Sequence, residues 1–392
     1  MRHASLPIDD ANTRAACALA ATRVGLSNFR SYERAELCVD ATPVVLAGAN
    51  GTGKTNLLEA LSLLSPGRGL RGAKLAAIQR KSPADESLWA VSATIARFPN
   101  GTWDIGTGLL PPAGSGPSRR TLHLNGAPAA NADVAELIPM LWLTPAMDRL
   151  FQEGAAERRR FLDRLVFALD PAHARHAARY ERAMAERLRL LRDGSRDAAW
   201  LDGLERTMAE EGAAIIAARL ALIERLNDEL QQRRREGAFP CAQLALCDAL
   251  SEAANEPARL QDALSASRER DAEAGRTLTG PHLADLEVRH TPKRADAREC
   301  STGEQKALLI SIILANAWLQ KKRHGVAPVL LLDEIAAHLD AARRAALFAE
   351  ILALQSQAWL TGTDRRLFAP LEARARFFAV ENGRFVAMEA VS

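Results

Sequence analysis

The 392-residue chain is long for one core of ordinary size, and with 48% apolar residues it has the material for a real hydrophobic interior, so two packed lobes are expected. Its 51 basic and 48 acidic side chains leave a net charge of +3, too near balance to announce a nucleic-acid surface without local clustering of Arg and Lys. Residues 1–21 mix Pro, Asp, Asn and Ala with no helical or strand period and are expected to form a disordered extension. Arg23–Leu37 supplies strand material, and Pro43–Ala47 is a short buried-strand run that stops at Gly48, where an α/β lobe begins. A helix is expected over Lys54–Leu64. Strand-rich segments Trp89–Phe98 and Trp103–Leu109 then flank the turn Pro99-Asn100-Gly101; Pro111–Ser118 reads as a mobile loop and Asn125-Gly126 as a second turn.

From Ala155 the composition shifts to Ala, Arg, Leu and Glu. Pro171 opens one helix, Asp193-Gly194-Ser195 breaks the run, and another helix starts near Ala198, which describes an antiparallel helical insertion. Helical sequence continues to Arg276, and α/β material returns at His282–Arg289. The α/β lobe is therefore expected in two pieces, 22–154 and 277–392, around a helical lobe at 155–276.

Cys17, Cys38, Cys241, Cys247 and Cys300 show no C-x-x-C pair and no His at zinc-ligand spacing, so reduced, structural thiols are expected. The most apolar stretch, Ala307–Leu319, falls short of the roughly 20 residues of a membrane helix, and the opening segment lacks the basic-then-apolar layout of a secretory signal. The expectation is a soluble, cytoplasmic protein with no membrane partner.

Gly48-Ala49-Asn50-Gly51-Thr52-Gly53-Lys54-Thr55 matches G-x-x-x-x-G-K-[ST], follows a strand and opens a helix. Glycines let backbone amides curl around phosphates, and the helix N-terminus adds its dipole to that anion site. Lys54, expected to face solvent when no nucleotide is bound, would reach the β and γ phosphates of ATP, with the Thr55 hydroxyl on Mg²⁺. Val329–Leu332 is a buried-type strand ending in Asp333 and Glu334. Asp333 is suited to hold Mg²⁺, directly or through its water shell, and Glu334 to polarise the attacking water. Ser301-Thr302-Gly303-Glu304-Gln305-Lys306 precedes the apolar helix Ala307–Leu319 with the spacing of a capping box, in which Ser301 caps the helix and Glu304 reaches back.

These three motifs in this order, with Ala337-His338-Leu339-Asp340 after the acids and Trp359-Leu360-Thr361-Gly362-Thr363-Asp364 after the next strand, resemble the ATPase heads of SMC-like proteins. Finer matches resemble the RecF family. They are Asn28-Phe29-Arg30-Ser31-Tyr32, the run Gly48–Ala60, Gly67-Arg68-Gly69-Leu70-Arg71, Leu143-Thr144-Pro145, Glu157–Asp163, Thr279-Gly280-Pro281-His282 and Ala284-Asp285-Leu286. The resemblance spans the chain from about Thr22 to its C-terminus. It implies an ABC-ATPase, P-loop NTPase head with a mixed sheet and a helical insertion lobe, a slow ATPase acting as a DNA-binding switch. Ser301–Gln305 becomes the signature that closes over the γ-phosphate of a second subunit's ATP, Asp340 the D-loop residue and Glu334 the catalytic acid. ATP-dependent homodimerisation on single-stranded, gapped or junction DNA, gap repair, replication restart, SOS induction and a RecR-like mediator through which RecA is loaded are all implied. Two positions depart from the family pattern: Leu283 follows Gly-Pro-His where a basic or polar residue is expected, and Trp142 stands where a Gln would serve a Q-loop, so no residue is assigned to it.

A transporter ATPase subunit shares the motifs but spaces its phosphate loop and signature far more closely than Thr55 and Ser301. A small-molecule kinase needs neither Ser301 nor Asp340, and another SMC-like or ABC-type head without a DNA role is separated by whether DNA stimulates its ATPase. For DNA phosphates the candidates are Arg68, Arg71, Lys74, Arg158, Arg159 and Arg160, weighed against solvated surface charge and, for Arg158–Arg160, pairing with acids on their own helix.

Overall fold

A computed structural model of the chain describes residues 18–81, 88–110, 119–194, 197–233, 239–247, 256–381 and 383–389. The expected extension up to residue 17, the loop Pro111–Ser118 and the helix-breaking Ser195 lie outside the described residues, whereas residues 19–21 already belong to the first strand. The chain divides into two compact units, residues 1–142 with 324–392, and residues 143–323.

In chain order the first unit holds β1 (Leu19–Phe29), β2 (Tyr32–Cys38), β3 (Val44–Ala47), α1 (Lys54–Ser62), α2 (Leu75–Ile78), β4 (Ala90–Arg97), β5 (Gly101–Leu110), β6 (Arg119–Leu124), β7 (Ala127–Pro128), α3 (Asn131–Leu137) and β8 (Met140–Leu143), whose last residue meets the boundary. The second holds α4 (Ala155–Phe167), α5 (Ala172–Arg192), α6 (Ala198–Arg233), β9 (Ala242–Cys247), α7 (Pro257–Ala266), α8 (Arg268–Ala274), β10 (Asp285–His290), β11 (Ala295–Asp296) and α9 (Thr302–His324). The chain then returns to the first unit with β12 (Val329–Leu332), α10 (Ala341–Leu354), β13 (Ala358–Gly362), β14 (Arg376–Glu381) and β15 (Arg384–Ala387).

Two six-stranded sheets build the first unit. One runs β15-β14-β3-β13-β12-β8, and its central strands β14, β3, β13 and β12 are mutually parallel. Parallel strands covered on both faces read as continuous apolar runs, and β3, β12 and β13 are buried at every residue. Because β3, β13 and β12 are parallel neighbours, their C-terminal ends share one edge: β3 runs into the phosphate-loop motif, β12 into Asp333-Glu334, and β13 ends on Thr361-Gly362. Such an edge is where open α/β sheets bind ligands. The other sheet, β2-β1-β4-β5-β6-β7, is antiparallel at every neighbouring pair. Its turns follow the sequence: Pro99-Asn100-Gly101 leads β4 into β5, and Asn125-Gly126, at φ of 51° and 81°, joins β6 to β7. Helix α1 packs against β1, β4 and β13, strands of both sheets, and buries Leu57, Leu58 and Leu61 completely.

In the second unit α5 starts after Pro171 and packs along α6. Tyr180, Ala183, Met208, Ala209, Ile215, Leu260 and Leu264 form one buried apolar cluster there. Arg187 is fully buried there and donates to Glu205 (2.9 Å), Asp271 (2.6 Å) and the Leu264 carbonyl (2.7 Å), so its charge is neutralised where water is absent. The Thr279-Gly280-Pro281-His282 segment is fixed by close approach. Gly280 has φ 140°, and a Cβ on it would lie 2.0 Å from the Tyr180 hydroxyl, which itself bonds His282 Nδ1 at 2.8 Å.

The expectation that His282–Arg289 resumes the α/β lobe is corrected. β10 pairs with β9 and β11 in a separate three-stranded sheet inside residues 143–323 and joins neither large sheet. β9 lies in a stretch read as helical from its Ala and Leu content. Its alternation of buried Ala242 and Leu244 with exposed Gln243, Ala245 and Cys247 spans too few residues to stand out. The compact boundary accordingly falls at 142/143 and 323/324, not at 154/155 and 276/277.

Within the first unit one amide ties β1 to the loop before β13. Gln357, fully buried, accepts from the Ala21 amide (2.8 Å) and Trp359 Nε1 (3.0 Å) and donates to the carbonyls of Ala21 and Asp40 (both 3.1 Å). Replacing it by an apolar residue leaves a buried amide and two carbonyls without partners. Gln357→Leu is expected to destabilise the protein by about 3 kcal/mol, read as a lowered urea midpoint at unchanged m-value.

Candidate functional site

The phosphate loop is held from both ends. The Gly48 amide donates to the Gly362 carbonyl at 3.3 Å, joining the loop's first glycine to the end of β13. Gly53 has φ 112°, and a Cβ there would come within 2.9 Å of the Tyr32 hydroxyl and Ser31 Oγ, so only glycine fits. Tyr32 donates to the Gly53 carbonyl at 3.0 Å, stacks on Phe385, and has its phenol pushed up by burial. Lys54 and Thr55 are the first two residues of α1, whose N-terminus therefore opens on the loop.

Lys54 does not face solvent. It is 4% exposed and donates to the carbonyls of Gly48 (2.7 Å) and Ala49 (2.8 Å), because an ammonium leaving water takes the nearest oxygens. Burial pulls it below the ordinary lysine value, and the carboxylates of Glu334 and Asp333 pull against that shift.

Asp333 Oδ1 accepts from Thr55 Oγ1 at 2.9 Å and from Thr361 Oγ1 at 2.7 Å, and the Glu334 amide donates to Thr361 Oγ1 at 2.8 Å. Asp333 is buried and Glu334 partly exposed. Glu334 sits at φ 49°, ψ 26°, a left-handed conformation uncommon for a residue with a side chain and typical of functional sites. The donor set suits Mg²⁺: two hard oxygens, one hydroxyl and one carboxylate, meet beside a phosphate loop, and that ion commonly takes one or two protein oxygens with the rest from phosphates and water. Asp340 caps α10, accepting from the Arg343 amide at 2.8 Å, and Trp142 is buried in β8.

In the second unit Ser301 immediately precedes α9. Glu304 Oε2 accepts from the Ser301 amide (3.1 Å) and hydroxyl (3.0 Å), and Oε1 pairs with Lys293. Half of the capping box is thus formed, with the serine hydroxyl turned to Glu304. Thr302 is exposed, and open space lies where Gly303 would carry a Cβ, so this helix start is accessible. Gln305 corrects its assignment to a nucleotide-facing signature. It is fully buried, four residues into the helix, and donates to the Cys300 carbonyl at 2.8 Å, so it anchors the loop from below. Lys306 is likewise buried against Asp148 at 3.1 Å.

The DNA candidates separate. Arg68 and Lys74 are exposed. Arg71 donates to Glu59 (2.8 Å) and Asn56 (2.9 Å) on α1, and Arg30 holds the same buried Glu59 in a fork (2.9 and 2.6 Å). Arg160 is exposed and pairs with Glu157 on its own helix. Arg158 is corrected: it is 7% exposed, forks Asp285 at 2.7 Å twice and bonds the Phe151 and Glu153 carbonyls, so it ties α4 to β10 with four of its five N–H donors already engaged and little of it open to a phosphate. Arg159 is half-buried, donates to the Ala284 carbonyl at 2.8 Å, and is pulled down by burial and by neighbouring Arg219. Sequence reasoning missed Thr361, Glu59 and Lys293. Thr361 and Glu59 lay in runs already singled out, Trp359–Asp364 and Gly48–Ala60, whereas Lys293 did not.

The model of the RecF/RecN/SMC N-terminal domain matches residues 20–385. The DNA replication and repair protein RecF of Mesorhizobium japonicum is 49% identical over 371 residues, 92% of this chain and 96% of that protein. The protein of the same name from Agrobacterium fabrum is 49% identical over 374 residues, 93% of this chain and 98% of its own. Among solved structures, the recombination mediator protein RecF-ATPrS of the RecFOR pathway superposes with a TM-score of 0.81 at 22% identity, covering 95% of this chain and 99% of that one. A Pyrococcus furiosus Smc head domain with an extended coiled coil superposes at 0.52 and 16% identity, over 95% and 96%. At those identities the two structures speak for the fold: an α/β ABC-type ATPase head carrying a helical insertion.

The Glu304 carboxyl is held at about 2, below its ordinary 4.5, first by Lys293 and then by the Ser301 amide and hydroxyl. A lowered carboxyl value stabilises the folded state fully above the unfolded value and loses that contribution as pH falls towards the folded one. Wild type and Glu304→Gln should therefore differ by a constant amount above pH 5 and converge as pH drops from there towards 2. Urea midpoints taken across that range check it, and a pH-independent difference contradicts the pairing.

Proposed function

Because the chain belongs to the RecF family, within the wider RecF/RecN/SMC N-terminal domain family, we propose that it is an ATP-switched, DNA-binding replication and repair protein. The observation that carries this reading is the Thr55–Asp333 hydrogen bond, which brings together residues 278 positions apart and sets both beside Lys54 and Glu334. Lys54 exchanges the Gly48 and Ala49 carbonyls for the β and γ phosphates, while the loop amides from Gly48 to Gly53, through Ala49, Asn50, Gly51 and Thr52, cradle them. Thr55 and Asp333 would hold Mg²⁺, which supplies positive charge to the phosphate oxygens. Glu334 accepts a proton from the attacking water, and its fixed backbone keeps the carboxylate in place to do so.

One head leaves the γ-phosphate charge incompletely compensated. The accessible start of α9, with the Ser301 hydroxyl and the Thr302 and Gly303 amides, closes over the nucleotide of a second copy, so ATP joins a homodimer and slow hydrolysis releases it. Glu304 acts on this surface by holding Ser301, and Asp340 is the D-loop residue. The dimer works on single-stranded or gapped DNA in the cytoplasm, with a RecR-like mediator, in gap repair, replication restart and SOS induction. Arg68 and Lys74 are the DNA contacts the geometry favours, with Arg71 and Arg160 able to join if they leave Glu59 and Glu157.

Glu334→Gln keeps size but removes the proton acceptor. ATP binding should persist, hydrolysis should fall by about 100-fold or more, and the ATP-bound dimer should accumulate in sedimentation. Unchanged turnover would remove Glu334 from the chemistry. Ser301→Arg should bind ATP as a monomer but neither dimerise nor hydrolyse it. Mixed with Lys54→Ala it forms dimers with one doubly damaged and one intact composite site, so some hydrolysis should reappear; an inactive mixture, with mixed dimers demonstrably formed, excludes independent composite sites. DNA binding should weaken steeply with salt, and Arg68→Ala and Lys74→Ala should each reduce the log–log salt slope by about 1. A flat salt dependence contradicts a phosphate-tracking surface.

A further inference from the structure

Thr361 is bonded to both acids of the site, to the Asp333 carboxylate and to the Glu334 amide. It lies next to the last residue of β13, between β3 and β12 in the sheet, and its register neighbours are Leu46 on β3 and, one step earlier, Leu332 beside Leu360. Parallel pairing therefore delivers its side chain between the phosphate loop and the acids. Thr361 is fully buried. A hydroxyl has one proton and two lone pairs, and this one already accepts the Glu334 amide at 2.8 Å, so its single proton goes to Asp333 Oδ1 at 2.7 Å. Its one donor and one of its two lone pairs are thus committed to the two acids, on a residue shut off from solvent.

We propose that Thr361 is a positioning residue of the nucleotide site, setting the carboxylate of Asp333 and the backbone of Glu334 together. On the Asp333 side, Oδ1 receives two hydroxyl protons, from Thr55 and Thr361, which pins the carboxylate plane and leaves Oδ2 for the ion's water shell. On the Glu334 side, the accepted amide bond holds a left-handed backbone, which costs on the order of 1–3 kcal/mol and persists only when surroundings impose it. Without the hydroxyl, both acids lose the constraint that aims them. Valine at this position keeps the shape, so the consequence is loss of orientation and not of packing. This inference rests on the reading of Asp333 and Glu334 as metal-holding and water-polarising groups.

The test is Thr361→Val against Thr361→Ser in the full chain. Turnover should fall about 100-fold in the valine variant and return to within about threefold of wild type in the serine variant. ATP affinity without metal should stay within about twofold of wild type, while the gain in affinity on adding Mg²⁺ should be largely lost in Thr361→Val, read by calorimetry with and without the ion. Protection of the Glu334 amide from hydrogen exchange should drop in the same variant. A merely structural role predicts the opposite pattern: weakened ATP binding to the same extent with and without metal, and no selective change at Glu334. That pattern, or wild-type turnover in Thr361→Val, overturns the inference. Should the valine variant not fold, Thr361→Cys, whose thiol is a weak donor, is read by the same split. Glu334→Gln and Lys54→Ala run alongside: if they too hydrolyse ATP normally, the assignment of the site fails, whereas if they are inactive and Thr361→Val is not, only the role of Thr361 fails.

Discussion

Asp333 Oδ1 accepts hydroxyl protons from two sides, Thr55 at the start of α1 and Thr361 at the end of β13, and the first unit is arranged around that shared oxygen. A buried carboxylate is costly unless its lone pairs are filled, and here neutral hydroxyls fill one oxygen without cancelling the charge. The result is a carboxylate fixed in place against Thr55, next to the phosphate loop. Lys54 folds inward beside it: burial costs its ammonium, and the carboxylates of Glu334 and Asp333 offset part of that cost.

Sheet topology makes this possible. Three parallel strands ending on one edge bring a loop, a pair of acids and a threonine together from segments 27 to 278 positions apart. The same geometry anchors the loop backbone, since Gly48 bonds the carbonyl of Gly362 on the strand that carries Thr361. Tyr32 closes the opposite side against Gly53, so the loop has little freedom before nucleotide arrives.

In the second unit charge is used for construction. Arg187 and Arg158 each sit among carboxylates and carbonyls with almost no exposure, and both cross between elements that apolar contacts alone would leave free to slide. An arginine run such as Arg158-Arg159-Arg160 is therefore three different things: a buried tie, a half-buried donor to a carbonyl and a solvated residue paired with Glu157. Successive helical residues point about 100° apart, and the environment each meets decides its use.

What could be read from the residues was what adjacent residues determine among themselves. The apolar run of β3 and the glycine-lysine loop after it, the Pro99-Asn100-Gly101 and Asn125-Gly126 turns, the acids closing β12 and the Glu304 half of the Ser301–Glu304 capping box all depend on interactions spanning a few positions, and all stand where the pattern put them. The inward lysine, the burial of Arg158 and Gln305, the small sheet holding β9 and β10, and the double use of the Thr361 hydroxyl were decided by tertiary structure alone. Each depends on a partner brought from a distant segment, Asp285 for Arg158 and Asp333 for Thr361 among them, or on which face is shut off from water, and neither quantity is carried by residue type or local spacing.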